Sequence, residues 1–371
     1  MPLYLTEDQA MLRDTARGFM AGEGDIAGQL RKFRDMGCKD GFGHALWRQF
    51  GEMGFTGILV DEADGGMGMG HVEAGIVMEE IGRNLTPSPF LITAVAVVEA
   101  LRGSAMRTRW LPGILAGETV AALAVDEGPK HRPEAVAMRA ERSGNGFRLS
   151  GRKQFVVQGA SADFVVVAAR ADEGVTLFAV EKDAAGLEVE GVRLADSSVG
   201  ARMDFRGVEV DSDSVIGEAG QGEAVLRRVL SAGRSAAASE MVGVAGGAMA
   251  MTVDYLKQRK QFGRTIGEFQ ALQHRAAHLY SEVEIARAAT LKAQQLLDEG
   301  SAEAEAMVSV AKAKAGRAST LAVQEGVQMH GGIGMTDEYD IGLYMKRDRV
   351  LNELFGDPSY HSDKLARIKG Y

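Results

Sequence analysis

The sequence predicts an α+β multidomain chain in which an N-terminal helical domain, a middle β domain and a C-terminal helical bundle follow one another. Three observations carry this prediction. Apolar residues recur at helical spacing up to residue 118, short Val-, Leu- and Phe-rich runs replace them over 119–222, and long helical stripes fill 223–371. With 371 residues the chain is too long for one compact domain and can bury a sizeable core.

In the first zone, Thr6-Glu7-Asp8-Gln9 has the form of a capping box, and Met11, Leu12, Ala16 and Phe19 follow at helical spacing. Further helices are expected over His44–Met53, His71–Arg83 and Leu91–Leu101, with the glycine-rich stretch Gly65–Gly70 as a loop between two of them. In the second zone, Val120–Val125, Gly146–Leu149, Phe164–Ala169, Val175–Val180 and Leu187–Val192 read as strands punctuated by Gly, Asp and Ser. They suggest a small barrel or sandwich rather than alternating βα units. In the third, Leu272, Ala276, Leu279, Val283, Ala286, Thr290, Ala293 and Leu297 alternate steps of four and three, the stripe of a bundle helix. Gly300 and Ser301 are expected to end that helix and cap the next. Val308, Ala311, Ala315, Ala318, Ala322 and Met329 line the next helix with residues small enough for close approach.

Charge narrows the functional classes. A formal net charge of −9 argues against a general nucleic-acid or anionic-membrane surface, though not against a local basic groove for a phosphate-bearing ligand. The single cysteine, Cys38, excludes an intrachain disulfide and fits a reduced, cytoplasmic setting. The start, Met1 to Asp8, has neither a basic nor an apolar leader region, so no signal peptide is expected. The most apolar run, Phe90–Leu101, is far short of the roughly 20 residues a membrane span needs, and it contains Glu99.

Two segments carry chemistry. Arg259-Lys260-Gln261-Phe262-Gly263 with the following Gln270 places basic residues at a helix end, which could simply complement the helix dipole. Gln328-Met329-His330-Gly331-Gly332-Ile333-Gly334 sets glycines after a long helix, where they can stop it or admit a phosphate to the backbone. In this order and spacing the two segments resemble the C-terminal signatures of the acyl-CoA dehydrogenase flavoprotein family. Gly57–Glu62 with Gly65-Gly66, Glu79–Arg83 and Leu111–Glu118 are similar to further motifs of that family, so the resemblance spans nearly the whole chain.

The resemblance implies a helical domain, a β-barrel and a four-helix bundle assembled as a tetramer, homomeric or heteromeric. It also implies FAD lying between subunits, an acyl-CoA substrate of fatty acid or steroid catabolism, and an electron-transfer flavoprotein as electron acceptor. Carried over position by position, Arg259, Phe262, Gln270, Gln328, Gly331 and Gly332 would serve a neighbour's flavin, and Phe155 could stack on a flavin from the β domain. A guanidinium fork suits a diphosphate, and glycines let the backbone approach it.

Elsewhere the sequence departs from the family pattern. Asp126 stands where the family has a hydroxyl residue, and the glycine-rich turn after it is lost. Val157 replaces a threonine. Counting from Arg347-Asp348, Gly356 takes the position of the usual catalytic glutamate, and Gly233 the alternative position near the start of the bundle. Asp357 and Glu240 are the candidate replacement bases, although Asp357 reads more simply as a turn or helix cap and Glu240 as half of an interhelix ion pair. His330 and His361 read as structural, and no metal-ligand set is expected. The departures suggest a subunit that shares FAD with a partner chain and leaves the base to it, as heteromeric α2β2 members of the family do. A self-sufficient enzyme with a displaced base and a non-catalytic structural relative are the alternatives.

Overall fold

The computed structural model describes residues 3–371. Helix α1 (Glu7–Gly22) is followed by a π-helical turn, Ile26–Arg31, and a short helix, Lys32–Asp35. Then come α2 (His44–Glu52), α3 (His71–Asn84), α4 (Phe90–Leu101) and α5 (Arg107–Leu115). The strands are β1 (Ala121–Ala124), β2 (Arg139–Ser143), β3 (Gly146–Val157), β4 (Phe164–Ala171), β5 (Gly174–Glu181), β6 (Leu187–Arg193), β7 (Val199–Asp211) and β8 (Val215–Ile216). Helix α6 (Gly222–Gln258) leads through a hairpin, β9 (Lys260–Gln261) and β10 (Arg264–Thr265), to α7 (Gln270–Asp298), α8 (Ala304–His330), α9 (Ile341–Glu353) and α10 (Pro358–Ile368).

By internal contacts the chain forms two compact units. One holds the residues up to Arg31, His71–Thr86 and Arg234–Tyr371, and the other holds Lys32–Gly70 and Pro87–Gly233. The cut passes through α6 and assigns α1 and α3 to the bundle unit.

In the β unit, one eight-stranded sheet runs β6-β7-β3-β2-β4-β5-β8, with β1 added parallel to β4. Its core is built from inward residues of every long strand, among them Phe147, Leu149, Val167, Phe178, Met203 and Phe205. Three of its strands, β2, β7 and the two-residue β8, are absent from the sequence reading. In β2, Arg139-Ala140-Glu141-Arg142-Ser143 looks like a polar loop, and only Ala140 faces inward. In β7, arginines and acids on the outer face interrupt an inward series of Val199, Ala201, Met203 and Phe205. Helix α4 opens with eight π-helical residues, all buried. There Thr93 Oγ1 donates to the Ala121 carbonyl and accepts from its N–H, both at 3.0 Å, tying the helix to β1.

In the bundle unit, Thr6 and Gln9 form the expected capping box. The predicted α8 stripe is buried throughout, and in α7 the stripe is buried from Leu279 to Ala293, with Leu272, Ala276 and Leu297 partly exposed. The polar member, Thr290, donates to the Ala286 carbonyl at 2.9 Å. Gly300, at φ 61°, ends α7 as predicted, but Ser301 does not cap α8: its Oγ accepts from Glu303 N, and the helix begins at Ala304. Helices α3 and α6 cross with backbones almost touching. A Cβ on Gly82 would lie 2.1 Å from the Glu240 carbonyl oxygen, and one on Gly243 would lie 2.0 Å from that of Glu79. Among the described helices, α6 is the one long and apolar enough to cross a membrane, but 72% of its apolar stretch is buried, as in a core helix.

Candidate functional site

The end of the bundle unit where α6 and α8 both terminate gathers the first set of residues. Tyr255 on α6 packs its ring 4.4 Å from that of His330 on α8, and Tyr339 closes the cluster at 4.8 Å from His330. This clamp sets Arg259, one turn past Tyr255, and Gly331, next to His330, at the same end. Burial lowers the pKa of His330, so the ring is neutral. Its Nδ1 donates to the Gly326 carbonyl at 2.7 Å, which leaves Nε2 as a buried acceptor without a partner.

The hairpin turns on Phe262 and Gly263, both at positive φ (54° and 81°). Such a two-residue turn favours Asn-Gly, and a phenylalanine there holds an unfavourable conformation with its ring 90% exposed. Arg259, Gln270 and Gln328 are also exposed, and their guanidinium and amide groups bond to no other described residue. No atom lies within 4 Å of a Cβ built at Gly331 or Gly332. An unpaired cation, two free amides and open glycine backbone form a donor set for a phosphate-bearing group. These residues fit the diphosphate of FAD.

The turn between α9 and α10 holds the second set. Phe355 and Gly356 both have positive φ, 61° and 102°. The Phe355 carbonyl accepts from Arg234 Nε at 3.2 Å and lies 3.1 Å from His361 Nε2. Lys312 Nζ donates to the Leu351 and Gly356 carbonyls at 2.9 and 3.1 Å. Arg234 Nη2 donates to the Tyr360 hydroxyl at 3.0 Å, and the guanidinium lies 5.4 Å from that ring. Asp357 N-caps α10, accepting from Tyr360 N at 2.8 Å. Buried Glu240 accepts from Arg347 Nε at 2.7 Å and pairs with Nη2 at 2.6 Å. Each candidate base therefore already has a structural task. Asp357→Ala is expected to cost about 1 kcal/mol, the usual worth of such a cap, as read by urea unfolding.

Lys312 is 1% exposed, and burial, reinforced by Arg234, brings its pKa down from 10.5 to about 7. Between those values the unfolded chain binds more protons than the folded one, so stability is expected to rise with pH across that window. The contribution of Lys312 to the slope would be at most about 1.4 kcal/mol per unit. Urea titrations across the window check this, and Lys312→Met should remove its share of the rise, leaving that of buried Lys153, whose pKa is also lowered.

The β unit carries the third set. The Asp126 carboxylate lies 2.9 Å from His131 Nδ1 and accepts from Arg132 N at 3.2 Å. Glu127 accepts from Ala137 N, Met138 N and Lys153 Nζ, the last at 2.7 Å. Lys153 is fully buried, and desolvation outweighs Glu127 in lowering its pKa. The loop after β1 thus spends these backbone donors on its own carboxylates. Phe155 sits at a bulge of β3 with φ 51°, half-buried, and Val157 is buried.

Arg234, Lys312, Tyr360, Lys153, Glu127 and His131 are the partners of these turns and loops whose contacts sequence reasoning missed. Two had a signal. Lys153 takes an inward position of alternating β3, and Lys312 lies four residues after Val308 of the α8 stripe. Among the described residues no cluster of His, Cys, Asp and Glu could hold a metal ion.

The chain matches the acyl-CoA dehydrogenase N-terminal domain over residues 6–118, the middle domain over 126–208 and the C-terminal domain over 220–369. It is 32% identical to a mitochondrial isovaleryl-CoA dehydrogenase of Solanum tuberosum, over 83% of this chain and 78% of that protein. It is 30% identical to the cyclohex-1-ene-1-carbonyl-CoA dehydrogenase of Geobacter metallireducens, over 95% of each. Among solved structures, a variant of the Tcur3481-Tcur3483 steroid ACAD superposes with a TM-score of 0.90 at 29% identity, covering 98% of each chain. The ChsE4-ChsE5 complex from Mycobacterium tuberculosis does so with a TM-score of 0.92 at 23% identity, over the full length of both, a likeness of fold.

Proposed function

The chain belongs to the acyl-CoA dehydrogenase family, and we propose that it works as the base-deficient subunit of a heteromeric member, sharing FAD with a partner chain. The observation that carries this reading is a contrast within one chain. The exposed Arg259, Gln270 and Gln328 heads are unpaired and offered outward, whereas the loop after β1 is closed by Asp126–His131 and Glu127–Lys153. A chain that donates half of a flavin site and no longer builds the other half has this combination.

FAD, when bound, supplies the hydride acceptor for the α,β-dehydrogenation of an acyl-CoA thioester. Arg259 would hold its diphosphate, Phe262 would pack on it, and Gln270, Gln328 and the Gly331-Gly332 backbone would complete the contacts. The α-proton would pass to a carboxylate of the partner chain, because Asp357 and Glu240 are committed to a helix cap and an ion pair. By likeness to the steroid ACAD relative, we assign the substrate to the acyl-CoA thioesters of bulky, steroid-like acids. We place the assembly in the cytoplasm, with an electron-transfer flavoprotein as the oxidant that regenerates FAD.

Co-expression with candidate partner chains, followed by purification, mass determination and a visible spectrum, tests the reading. The expected product is a hetero-oligomer with fewer flavins than chains. A homo-oligomer of this chain alone, with one FAD per chain and acyl-CoA dehydrogenase activity, would overturn it. The displaced-base alternative would then be decided by Asp357→Ala and Glu240→Ala, one of which must abolish flavin reduction while FAD stays bound.

A further inference from the structure

We infer that Arg31 is a positioning residue for the flavin: from the N-terminal segment it clamps the loop that carries the Gly331-Gly332 backbone. The inference rests on reading Arg259, Gln328 and these glycines as the donated half of an FAD site. It extends that half-site to a residue 309 positions before its main partner, Asp340.

The clamp is first a matter of geometry. The turn Ile26–Arg31 is π-helical and ends on Arg31, whose side chain is 21% exposed. Its Nε and Nη2 donate to Asp340 Oδ1 at 2.8 and 2.6 Å, and its Nη1 donates to Asp337 Oδ2 at 3.4 Å. Asp337 is 57% exposed and makes the longer contact, so Asp340 carries most of the clamp. Both carboxylates lie in the link between the 3-10 turn Gly331–Met335 and α9. Asp340 holds the N-cap position of α9, where an aspartate ordinarily accepts from the first backbone N–H groups. Its side chain makes no such bond and is committed to Arg31 instead. The same link is pinned at Tyr339, whose ring lies 4.8 Å from that of His330, the residue before Gly331. The 3-10 turn folds back on the end of α8, where a Cβ on Gly334 would lie 2.8 Å from the Val327 carbonyl oxygen. Arg31 thus fixes one end of a short loop whose other end is the open glycine backbone.

Charge acts in the same direction. Asp337, Glu338 and Asp340 place three carboxylates shortly after the glycines. A diphosphate held on Gly331 and Gly332 would be repelled by them. Arg31, an obligate cation, offsets two of the three. Its removal would free the loop and leave the acids uncompensated at once.

The test uses the complex of this chain with its partner, stripped of FAD and titrated with it by fluorescence. Arg31→Met is expected to weaken FAD binding at least about fivefold, the lower range of coupling between distant sites. Arg31→Lys should lose less, because it keeps the charge. Asp340→Asn should also lose less, because it withdraws a carboxylate along with the clamp. The pair Arg31→Met with Asp340→Asn should lose no more than Arg31→Met alone, since both changes remove one interaction. Wild-type affinity in Arg31→Met, or additive losses in the pair, would overturn the inference.

A second readout separates positioning from a role in the fold alone. By linkage, a clamp that tightens FAD is itself tightened by FAD to the same degree. Amide hydrogen exchange over Ile26–Arg31 is therefore expected to slow when FAD is added to the wild-type complex. Asp340→Asn leaves the sequence of that segment intact and should abolish the slowing. Exchange indifferent to FAD in the wild type, or slowing that persists in Asp340→Asn, overturns the inference even if Arg31→Met does not assemble. Wild-type affinity in the Arg31 variants beside a loss in Arg259→Ala leaves the shared-FAD reading standing. No loss in any of them removes that reading as well.

Discussion

Replacing Arg259 with alanine is expected to weaken FAD binding to the assembled protein by about 10- to 100-fold, the worth of a charge-assisted hydrogen bond to phosphate at about 1.5–3 kcal/mol. The size of the effect follows from what surrounds the residue. The guanidinium is exposed and spends no bond on the described chain, so its removal costs the fold little and the ligand much. Arg259→Lys should recover only part of the loss, because an ammonium keeps the charge and gives up the fork. Fluorescence titration of FAD into stripped complex measures both variants, and unchanged thermal stability of the stripped protein confirms that the loss lies in the ligand. An Arg259→Ala complex that binds FAD as tightly as the wild type would remove this residue from the flavin site.

Glu127→Ala is expected to destabilise the β unit by about 3–5 kcal/mol, the cost of stranding the buried partner of an ion pair. Lys153 lies inside the β sheet with no exposed surface, and apart from Glu127 its ammonium has the Val125 carbonyl at 3.1 Å. Removing the carboxylate strands a buried cation and also frees Ala137 N and Met138 N. Lys153→Met should cost far less, because it withdraws the buried charge and leaves Glu127 its backbone donors. Urea unfolding of both variants, with the order of their midpoints, decides the matter. Equal losses would mean that the stranded charge carries none of the cost.

The two closures differ in how far they could be read in advance. The capping box at Thr6, the stripes of α7 and α8 and the strands β1, β4, β5 and β6 are local patterns, and each lies within a residue or two of its predicted place. The exposed set at Arg259 and Gln328 was legible for the same reason. It consists of a helix end, a hairpin and a glycine stop, whose chemistry is written in neighbouring residues. The cap at Asp357 and the ion pair at Glu240 were among the readings the sequence offered and are what the structure shows, but one carboxylate can be a base, a cap or half of an ion pair until its neighbours are placed. Arg347, which engages Glu240, lies 107 residues away along the chain.

Membership of the family and the order helical–β–helical were already present in the amino-acid sequence, since motif spacing, periodicity and short-range turn chemistry need no partner from elsewhere in the chain. Packing alone settled what surrounds Gly356. Tyr360 meets Arg234 across 126 residues and Lys312 reaches the Gly356 carbonyl across 44, pairings that depend on how α6, α8 and the turn before α10 are brought together. A substitution to glycine marks a lost side chain in a sequence. Whether the space it leaves stays open, fills with a ring or is flanked by cations is decided only when close packing brings distant side chains against one another.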